Sequence, residues 1–188
     1  TRVRSSAASD VYKRQISAEA LVDLTAPPPL PETLNPQAWQ ELDALTANDD
    51  YWDSLMPSHF AAPTALLDEL ARELDIRRRD DPLIVLRDLN SAINATFEYS
   101  PNTTRVDSPI DEALRMRKGV CQDYAHIMIT LARRLKIPCR YVSGYLYQQS
   151  RSQERSSGEA THAWVEAYLP NLGWIGFDPT NNTTTDER

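Results

Sequence analysis

Apolar residues recur at steps of three and four along five stretches of the chain, a spacing that places them on one face of a helix. Three of these stretches begin with Asn-Pro, Asp-Pro or Ser-Pro, where the first residue can cap a helix and the proline suits its first turn. The pattern predicts that helices dominate the chain up to about residue 135. The predicted helices cover residues 36–45, 64–75, 81–98, 108–114 and 121–135.

The pattern changes from helical to alternating further along the chain. Residues 140–146 follow a proline and predict one strand. Residues 161–168 alternate between large or polar side chains and small apolar ones, which is typical of a strand with one buried face. Residues 174–178 predict a second short strand, and the five residues between these two would close a hairpin.

The register of this hairpin determines which side chains meet. With a loop over residues 169–173, Tyr168 faces Trp174. In the same register Asp178 lies opposite Trp164, which is the neighbour of His162 on the same face of the strand. An imidazole and a carboxylate could then come into contact. A shift of one residue would turn Asp178 to the other face, so the register is a specific prediction.

One cysteine, Cys121, stands at the predicted start of the most strongly patterned helix, two residues after Gly119. A glycine suits a place where the backbone approaches another group closely. The first turn of a helix presents free amides and a partial positive charge, which favour a thiolate, and Arg115, Arg117 and Lys118 could add to this effect. The alternative is that Cys121 is only a small apolar residue in a first turn, and this motif alone leaves both open.

Three motifs stand out along the chain. They are Gly-Val-Cys-Gln-Asp-Tyr-Ala at 119–125, Thr-His-Ala-Trp-Val-Glu at 161–166 and Gly-Trp-Ile-Gly-Phe-Asp-Pro-Thr at 173–180. Together they resemble the transglutaminase-like superfamily, in particular its bacterial branch, because cysteine, histidine and aspartate occur in the order of that family and the residues around each of them agree as well. The match extends through residues 97–101, 108–114 and 137–146, so the resemblance covers about half of the chain firmly and more of it loosely.

The resemblance implies an α+β papain-like core, with helices packed on an antiparallel sheet and the catalytic cysteine at a helix N-terminus. It implies that Cys121 is the nucleophile, His162 the general base and acid, and Asp178 the group that orients the imidazole. Such a triad would cleave a peptide or side-chain amide through a thioester. Water would then complete an amidase or protease reaction, while an amine would complete a transglutaminase reaction. The alternative from another class is a binding or scaffold module that keeps the fold without catalysis.

Charge narrows the range of partners. The 188 residues carry 20 Lys and Arg against 27 Asp and Glu, a formal charge of −7. An acidic surface argues against a nucleic acid or an anionic membrane as partner. The protein or peptide substrate that we expect is what the resemblance implies. His126 lies about 140° around the helix from Cys121, so the two side chains do not share a face on which to bind a metal ion. We expect no metal, and we expect no cofactor either. With two cysteines, Cys121 and Cys139, we expect a cytoplasmic protein without a disulfide.

The first fifteen residues differ in character from the rest. Residues 5–15 resemble the in-frame translation of a transposon adaptor, so residues 1–15 are excluded from fold reasoning. They contain four of the 20 basic and one of the 27 acidic residues, so the remainder carries a formal charge of −10. We expect residues 16–60 to form an extended or irregular N-terminal segment, and residues 61–188 to form a catalytic core that is truncated at its C-terminal end.

Three other segments carry weaker expectations. The aromatic and leucine side chains of Trp52, Leu55 and Phe60 are expected to anchor the irregular N-terminal segment to the core. The charged run at 77–81 is expected to be a solvated turn. Residues 148–158 are polar and predict a flexible surface loop near the site, with a substrate-gating lid as the alternative.

Overall fold

The computed structural model describes residues 28–145 and 161–184, and the account that follows is restricted to them. The predictions for residues 1–15, for 16–27 and for the polar loop at 148–158 therefore lie outside the described residues. Within the described ranges the chain forms mostly helices first and strands afterwards, as the hydrophobic pattern predicts. The helices are α1 (Ala38–Thr46), α2 (Trp52–Leu55), α3 (Ala65–Glu73), α4 (Pro82–Thr96), α5 (Ile110–Met116) and α6 (Cys121–Arg134), with a 3-10 turn at Asp49–Tyr51.

Two sheets accompany these helices. Strands β1 (Glu98–Tyr99) and β2 (Lys118–Gly119) form a short parallel pair just before α6. The larger sheet is antiparallel and has the order β3-β4-β5-β6. Its strands are β3 (Cys139–Gly144), β4 (His162–Leu169), β5 (Gly173–Asp178) and β6 (Thr183–Thr184).

The helix starts follow the chemistry of their cap residues. The Thr64 hydroxyl accepts a hydrogen bond from the amide of Leu67, which begins α3. Asp81 caps α4 by accepting from the amides of Leu83 and Ile84, and Pro82 occupies the first helical position. The predicted cap-and-proline start of this helix is confirmed.

One hydrophobic core joins α6 to the large sheet. The small-residue face of β4 is buried, together with Phe177 of β5 and one side of α6. This alternation confirms the predicted strand, since from Ala163 onward β4 buries every second residue and leaves the residues between them partly exposed, while His162 at its start is also buried. Helix α4 packs against α6 and against β5, so it contacts both the helix that carries Cys121 and the strand that carries Asp178. The buried apolar residues of β4 are Ala163, Val165, Ala167 and Leu169.

The hairpin between β4 and β5 has the predicted register. Tyr168 pairs with Trp174, and their rings lie 5.5 Å apart. Leu169 pairs with Gly173, whose φ of +77° is in the left-handed region that glycine adopts most easily. Because the register is fixed by this turn, Asp178 reaches the His162 end of the sheet.

Two of the weaker expectations need correction. Trp52 is 56% exposed and does not anchor the N-terminal segment, because it lies on the outer side of the short helix α2. The charged run at 77–81 is more than a solvated turn. Its Arg78 guanidinium lies over the Trp39 ring, pairs with Asp43 and donates a hydrogen bond to the Leu135 carbonyl oxygen. Sequence pattern missed this because the three partners come from distant parts of the chain.

Candidate active site

Cys121 is the first residue of α6, and the start of that helix is fixed by a buried carboxylate. Asp123 accepts a hydrogen bond from the Val120 amide at 2.8 Å and from the Thr104 hydroxyl at 2.5 Å. Burial raises the pKa of Asp123, while these two hydrogen bonds lower it. The arrangement satisfies the Val120 amide and fixes Cys121 as the first residue of the helix.

Gly119 provides the space that this carboxylate needs. A Cβ atom on Gly119 would lie 2.7 Å from Oδ2 of Asp123 and 2.9 Å from its Cβ, closer than packed atoms tolerate. The predicted close approach at this glycine is therefore confirmed, and the approaching group is Asp123. Gly119 is also the strand partner of Tyr99 in the β1–β2 pair.

His162 and Asp178 meet as the hairpin register predicts. Nε2 of His162 lies 2.8 Å from Oδ2 of Asp178, and both residues are buried. The backbone amides of Thr180 and Asn181 donate to Oδ1 at 3.1 and 3.3 Å, and the Asn181 side-chain amide donates to Oδ2 at 2.9 Å. These donors favour the ionised form of the carboxylate in a place where water cannot reach it freely.

The charge state of His162 follows from its surroundings. Burial by itself lowers the pKa of the imidazole, but the hydrogen bond to Asp178, the nearby Cys121 thiol and the charges of both raise it to about 9. An ionised carboxylate can only accept, so the neutral imidazole keeps its proton on Nε2. The other nitrogen, Nδ1, is buried and makes no hydrogen bond of standard geometry with any described residue. It is therefore the ring atom available to exchange a proton.

An indole ring lies alongside the imidazole. The rings of Trp164 and His162 are nearly parallel, with centroids 6.4 Å apart. The six-membered ring of Trp164 lies over Gly144, where a Cβ atom would come within 2.8 Å of Cη2. Gly144 is the strand partner of His162. The absence of a side chain on Gly144 thus provides the space that the Trp164 ring occupies beside the imidazole.

Two tyrosines that sequence reasoning missed also lie near Cys121. Burial raises the pKa of Tyr99, and the charge of Cys121 raises it further. Tyr141 shows the same two effects, with an additional contribution from Asp123, and its ring stacks on His126 at 4.9 Å. The sequence carried no signal for either residue, because their approach to the thiol depends on β1 and β3 reaching the start of α6.

The basic residues just before Cys121 are engaged elsewhere. Arg115 pairs with Asp111 along α5, Arg117 pairs with Glu73 of α3, and Lys118 pairs with Glu98 of β1. The expectation that these three charges act on the thiol is therefore not supported. The residues that interact electrostatically with Cys121 lie on β1, β3 and β4 instead, namely Tyr99, Tyr141 and His162.

Other titratable residues near α6 do not form a ligand cluster. Within residues 28–145 and 161–184, no three His, Cys, Asp or Glu side chains lie close enough to hold a metal ion. His126 is enclosed between the rings of Phe60 and Tyr141, and burial together with the Arg133 charge lowers its pKa to about 4. Cys139 is a fully buried free cysteine, and burial raises the pKa of its thiol to about 12.

A cysteine at a helix N-terminus beside a histidine–aspartate pair on an antiparallel sheet defines the papain-like class of folds. Within that class, the sequence profile of the transglutaminase-like superfamily matches residues 68–179, and the chain belongs to this superfamily. The matched region contains Cys121, His162 and Asp178. The roles of these three residues remain predictions.

The relatives are bacterial. The chain is 34% identical to uncharacterized protein Rv2569c of Mycobacterium tuberculosis over 187 residues, covering 92% of this chain and 58% of the relative. It is 31% identical over 120 residues to a protein-glutamine gamma-glutamyltransferase of Pseudomonas aeruginosa, covering 59% of this chain and 17% of that enzyme. The chain therefore spans well under two thirds of these relatives' own length.

Two solved structures share the fold. A candidate cysteine protease from Cytophaga hutchinsonii superposes with a TM-score of 0.59 at 27% identity, over 72% of this chain and 44% of that one. The periplasmic domain of TgpA from Pseudomonas aeruginosa superposes with a TM-score of 0.51 at 30% identity, over 71% and 49% of the two chains. The predicted α+β transglutaminase-like fold is confirmed.

Proposed function

We propose that this chain is a cysteine acyl-transfer enzyme that acts on peptide or side-chain amides of protein or peptide substrates. Cys121 is the nucleophile, His162 the general base and acid, and Asp178 the residue that orients the imidazole. The observation that carries the proposal is the buried His162–Asp178 pair at 2.8 Å, with the Cys121 thiol near enough to act on the same imidazole. Membership in the transglutaminase-like superfamily supports it.

The chemistry follows from the two ring nitrogens of His162. Nδ1 takes the proton of the Cys121 thiol, and the thiolate attacks the carbonyl carbon of the amide to form a C–S bond. The carbonyl electron pair moves to oxygen, where first-turn amides of α6 can stabilise it. As the pair returns, the C–N bond breaks and the imidazolium gives its proton to the departing amine. The product of this half-reaction is a thioester on Cys121.

The second half-reaction decides between hydrolysis and transfer. Attack by water releases a carboxylic acid, whereas attack by an amine forms a new amide, and in both the imidazole removes the proton of the nucleophile. The similar Pseudomonas enzyme is a glutamine gamma-glutamyltransferase, and the similar Cytophaga structure is that of a candidate cysteine protease. Both outcomes belong to the proposal, and a substrate screen with and without an added amine separates them.

The first experiment measures alkylation of the thiols by iodoacetamide across pH, with the labelled residue mapped by mass spectrometry. We expect fast labelling of Cys121 that persists below pH 7 and slows in His162→Ala. Cys139 provides an internal control, because its fully buried thiol should stay unlabelled until the protein unfolds. The Cys121→Ser variant controls for labelling elsewhere.

The opposite result would overturn the proposal. If Cys121 labels only near the ordinary thiol pKa of about 8.5, with no change in His162→Ala, the three residues do not act together. The binding or scaffold module would then be the better description of the chain. The full set of cysteine, histidine and aspartate argues against that alternative, since a binding module does not need them together.

The compartment is a further part of the proposal. We infer a cytoplasmic protein with reduced thiols, in line with the free state of Cys121 and Cys139. The similar TgpA structure is a periplasmic domain, so a periplasmic location is the alternative to the cytoplasmic one. Among the described residues, no helix has the length and apolar character of a membrane span. Fractionation of cells that express the natural full-length protein decides between them, and recovery in the periplasmic fraction would refute the cytoplasmic assignment.

A further inference from the structure

The Asp178 carboxylate is held by more than its histidine. Three donors from the turn that follows it point at the two oxygens, and Nε2 of His162 is the fourth. A carboxylate offers about four lone-pair positions, so these four donors are enough to fill it. With every position occupied, the carboxylate cannot rotate without leaving a buried donor or acceptor unpaired, which is costly.

Hydrogen bonds from helix α4 hold the turn at residues 179–182. The side-chain amide of Asn94 donates to the carbonyl oxygens of Pro179 and Thr180 at 3.1 and 2.8 Å. One helical turn earlier, Asn90 donates to the Asn182 side-chain oxygen at 3.1 Å, and Ser91 donates to the same atom at 2.9 Å. The polar face of α4 at positions 90, 91 and 94 therefore meets the turn that carries the donors for Asp178.

The strand that follows this turn is short. Strand β6 contains only two residues, and its pairing with β5 ends at Phe177 and Asp178. A short edge strand of this kind gives weak positional control. Helix α4 is long, capped by Asp81 and packed into the core through Leu86, Leu89 and Ile93, so it can act as a rigid reference for the turn.

We propose that Asn94 and Asn181 are positioning residues, which hold the Asp178 carboxylate on Nε2 of His162 and so keep Nδ1 directed to Cys121. This inference rests on the proposed acyl-transfer function and extends it to α4. Asn181 acts directly on Oδ2 of Asp178. Asn94 acts one step further away, through the carbonyl groups of the turn. Neither residue needs to touch the substrate.

The test uses alkylation of Cys121 by iodoacetate, which carries a negative charge. Its reaction with the thiolate is favoured while the imidazole of His162 is protonated, and it slows when the imidazolium loses its proton. The pH at the middle of this decline therefore reports the His162–Asp178 pair. A role that is only structural would lower the melting temperature without moving this midpoint.

The variants are Asn181→Ala, Asn94→Ala and Asn94→Asp, each on the full chain. Asn94→Asp keeps the shape of the side chain but replaces both N–H donors by acceptors that face two carbonyl oxygens. We expect all three variants to move the midpoint down by about one pH unit or more, since a less well fixed carboxylate supports the imidazolium less. The control is Thr96→Ala, which removes a hydrogen bond within α4 to the Ala92 carbonyl oxygen and does not reach the turn.

Each outcome bears on one of the two proposals. A midpoint that stays at the wild-type pH in folded Asn181→Ala and Asn94→Ala overturns the positioning roles and leaves the proposed function intact. A midpoint that moves equally in Thr96→Ala also overturns them, because the effect would then belong to α4 in general. If wild-type Cys121 shows no such decline and no dependence on His162, the acyl-transfer function itself fails. Asn94 is half-buried on the helix surface, so its variants keep the test available if Asn181→Ala does not fold.

Discussion

Asp123 occupies the space where Gly119 would carry a side chain. The carboxylate of Asp123 turns back along the first turn of α6, accepts from the Val120 amide and passes directly beside the Gly119 Cα atom. Cys121, which begins α6, therefore lies between two residues, Gly119 and Asp123, that pack against each other. A glycine before a cysteine in this motif is explained by packing rather than by a special backbone angle.

Gly119→Ala tests this contact. The added methyl group would lie 2.7 Å from Oδ2 and 2.9 Å from Cβ of Asp123, and the latter cannot swing away. We expect the free energy of unfolding to fall by about 1–3 kcal/mol, as is usual for overpacking, and labelling of Cys121 to slow. Urea denaturation and iodoacetamide labelling measure the two effects.

Gly173→Ala is the matched control for that substitution. Gly173 adopts a φ of +77°, and no atom lies within 4 Å of the added Cβ position. The left-handed backbone should cost about 1–2 kcal/mol, while labelling of Cys121 stays at the wild-type rate. Equal slowing in both variants would mean that general destabilisation, and not the Gly119–Asp123 contact, controls the thiol.

His162 should make stability depend on alkaline pH. Its pKa in the folded protein is about 9, above the ordinary value of 6.5, so the protonated imidazole stabilises the folded state. This contribution is fully present below pH 6.5 and is lost as the pH rises to about 9, at about 1.4 kcal/mol per pH unit. We expect wild type to lose up to about 3 kcal/mol relative to His162→Gln between pH 6 and 9.5, measured by urea denaturation. Parallel pH curves for the two proteins would contradict the raised pKa.

His126 should have the opposite effect at acidic pH. Burial and the Arg133 charge lower its pKa to about 4, so the folded protein holds it neutral while the unfolded chain binds a proton below pH 6.5. Stability should fall as the pH drops from 6.5 to about 4, by up to about 3 kcal/mol. His126→Phe keeps an aromatic ring between Phe60 and Tyr141 and should remove this part of the acid sensitivity. Urea denaturation at pH 7 and 4.5 measures it, and an unchanged difference between the two pH values would refute the assignment.

Asp178→Asn tests the orientation of the imidazole. The amide nitrogen of asparagine would place a donor opposite Nε2 and favour the wrong tautomer, so Nδ1 could no longer accept the thiol proton. We expect the pKa of His162 to fall below its present value of about 9, and any acyl-transfer rate to drop by about four orders of magnitude, as in other triads. Nitrogen NMR of the imidazole gives both the pKa and the tautomer. A histidine that keeps its proton on Nε2 in this variant would contradict the orienting role of Asp178.

Arg78 should contribute to stability far more than its neighbour Arg77. Arg78 stacks on Trp39, pairs with Asp43 through two hydrogen bonds and donates to the Leu135 carbonyl oxygen. We expect Arg78→Ala to lower the free energy of unfolding by about 2 kcal/mol, and Arg78→Lys to restore little of it, since lysine lacks the planar fork.

Arg77 supplies the control for this prediction. Its ion pair with Asp75 is largely exposed, so Arg77→Ala should change the free energy of unfolding by less than about 0.5 kcal/mol. Chemical denaturation of both alanine variants measures the contrast. Equal effects would support the original expectation that residues 77–81 form only a solvated turn.

Much of the site could be predicted because its key positions follow local rules. The helix that starts at Cys121 shows its apolar face in the sequence, and the glycine and turn residues between β4 and β5 fix the register that brings Asp178 to His162. The anchoring of Trp52 was predicted wrongly, since exposure of an aromatic residue depends on what packs over it.

The features of the site that the sequence did not predict depend on long-range contacts. The basic residues before Cys121 are close to it in sequence, which suggested that their charges act on the thiol. Each of them instead pairs with a carboxylate, and two of the three carboxylates belong to other elements. Tyr99 and Tyr141 lie close enough to feel the charge of Cys121 only because β1 and β3 pass near the start of α6. The hydrogen bonds from Asn94 span more than eighty residues, and no local pattern indicates them.

The sequence by itself indicated most of the helices and the two strands of the β4–β5 hairpin with their register, because side-chain periodicity, cap chemistry and turn length act over a few residues. The three candidate catalytic residues came from motifs that resemble those of the transglutaminase-like superfamily. Tertiary structure alone decided that Asp123 fills the space beside Gly119, that Trp164 lies over Gly144, and that α4 holds the turn after Asp178. These are contacts between side chains and backbone that come together only when separate elements pack. Their distances depend on how the whole core is filled.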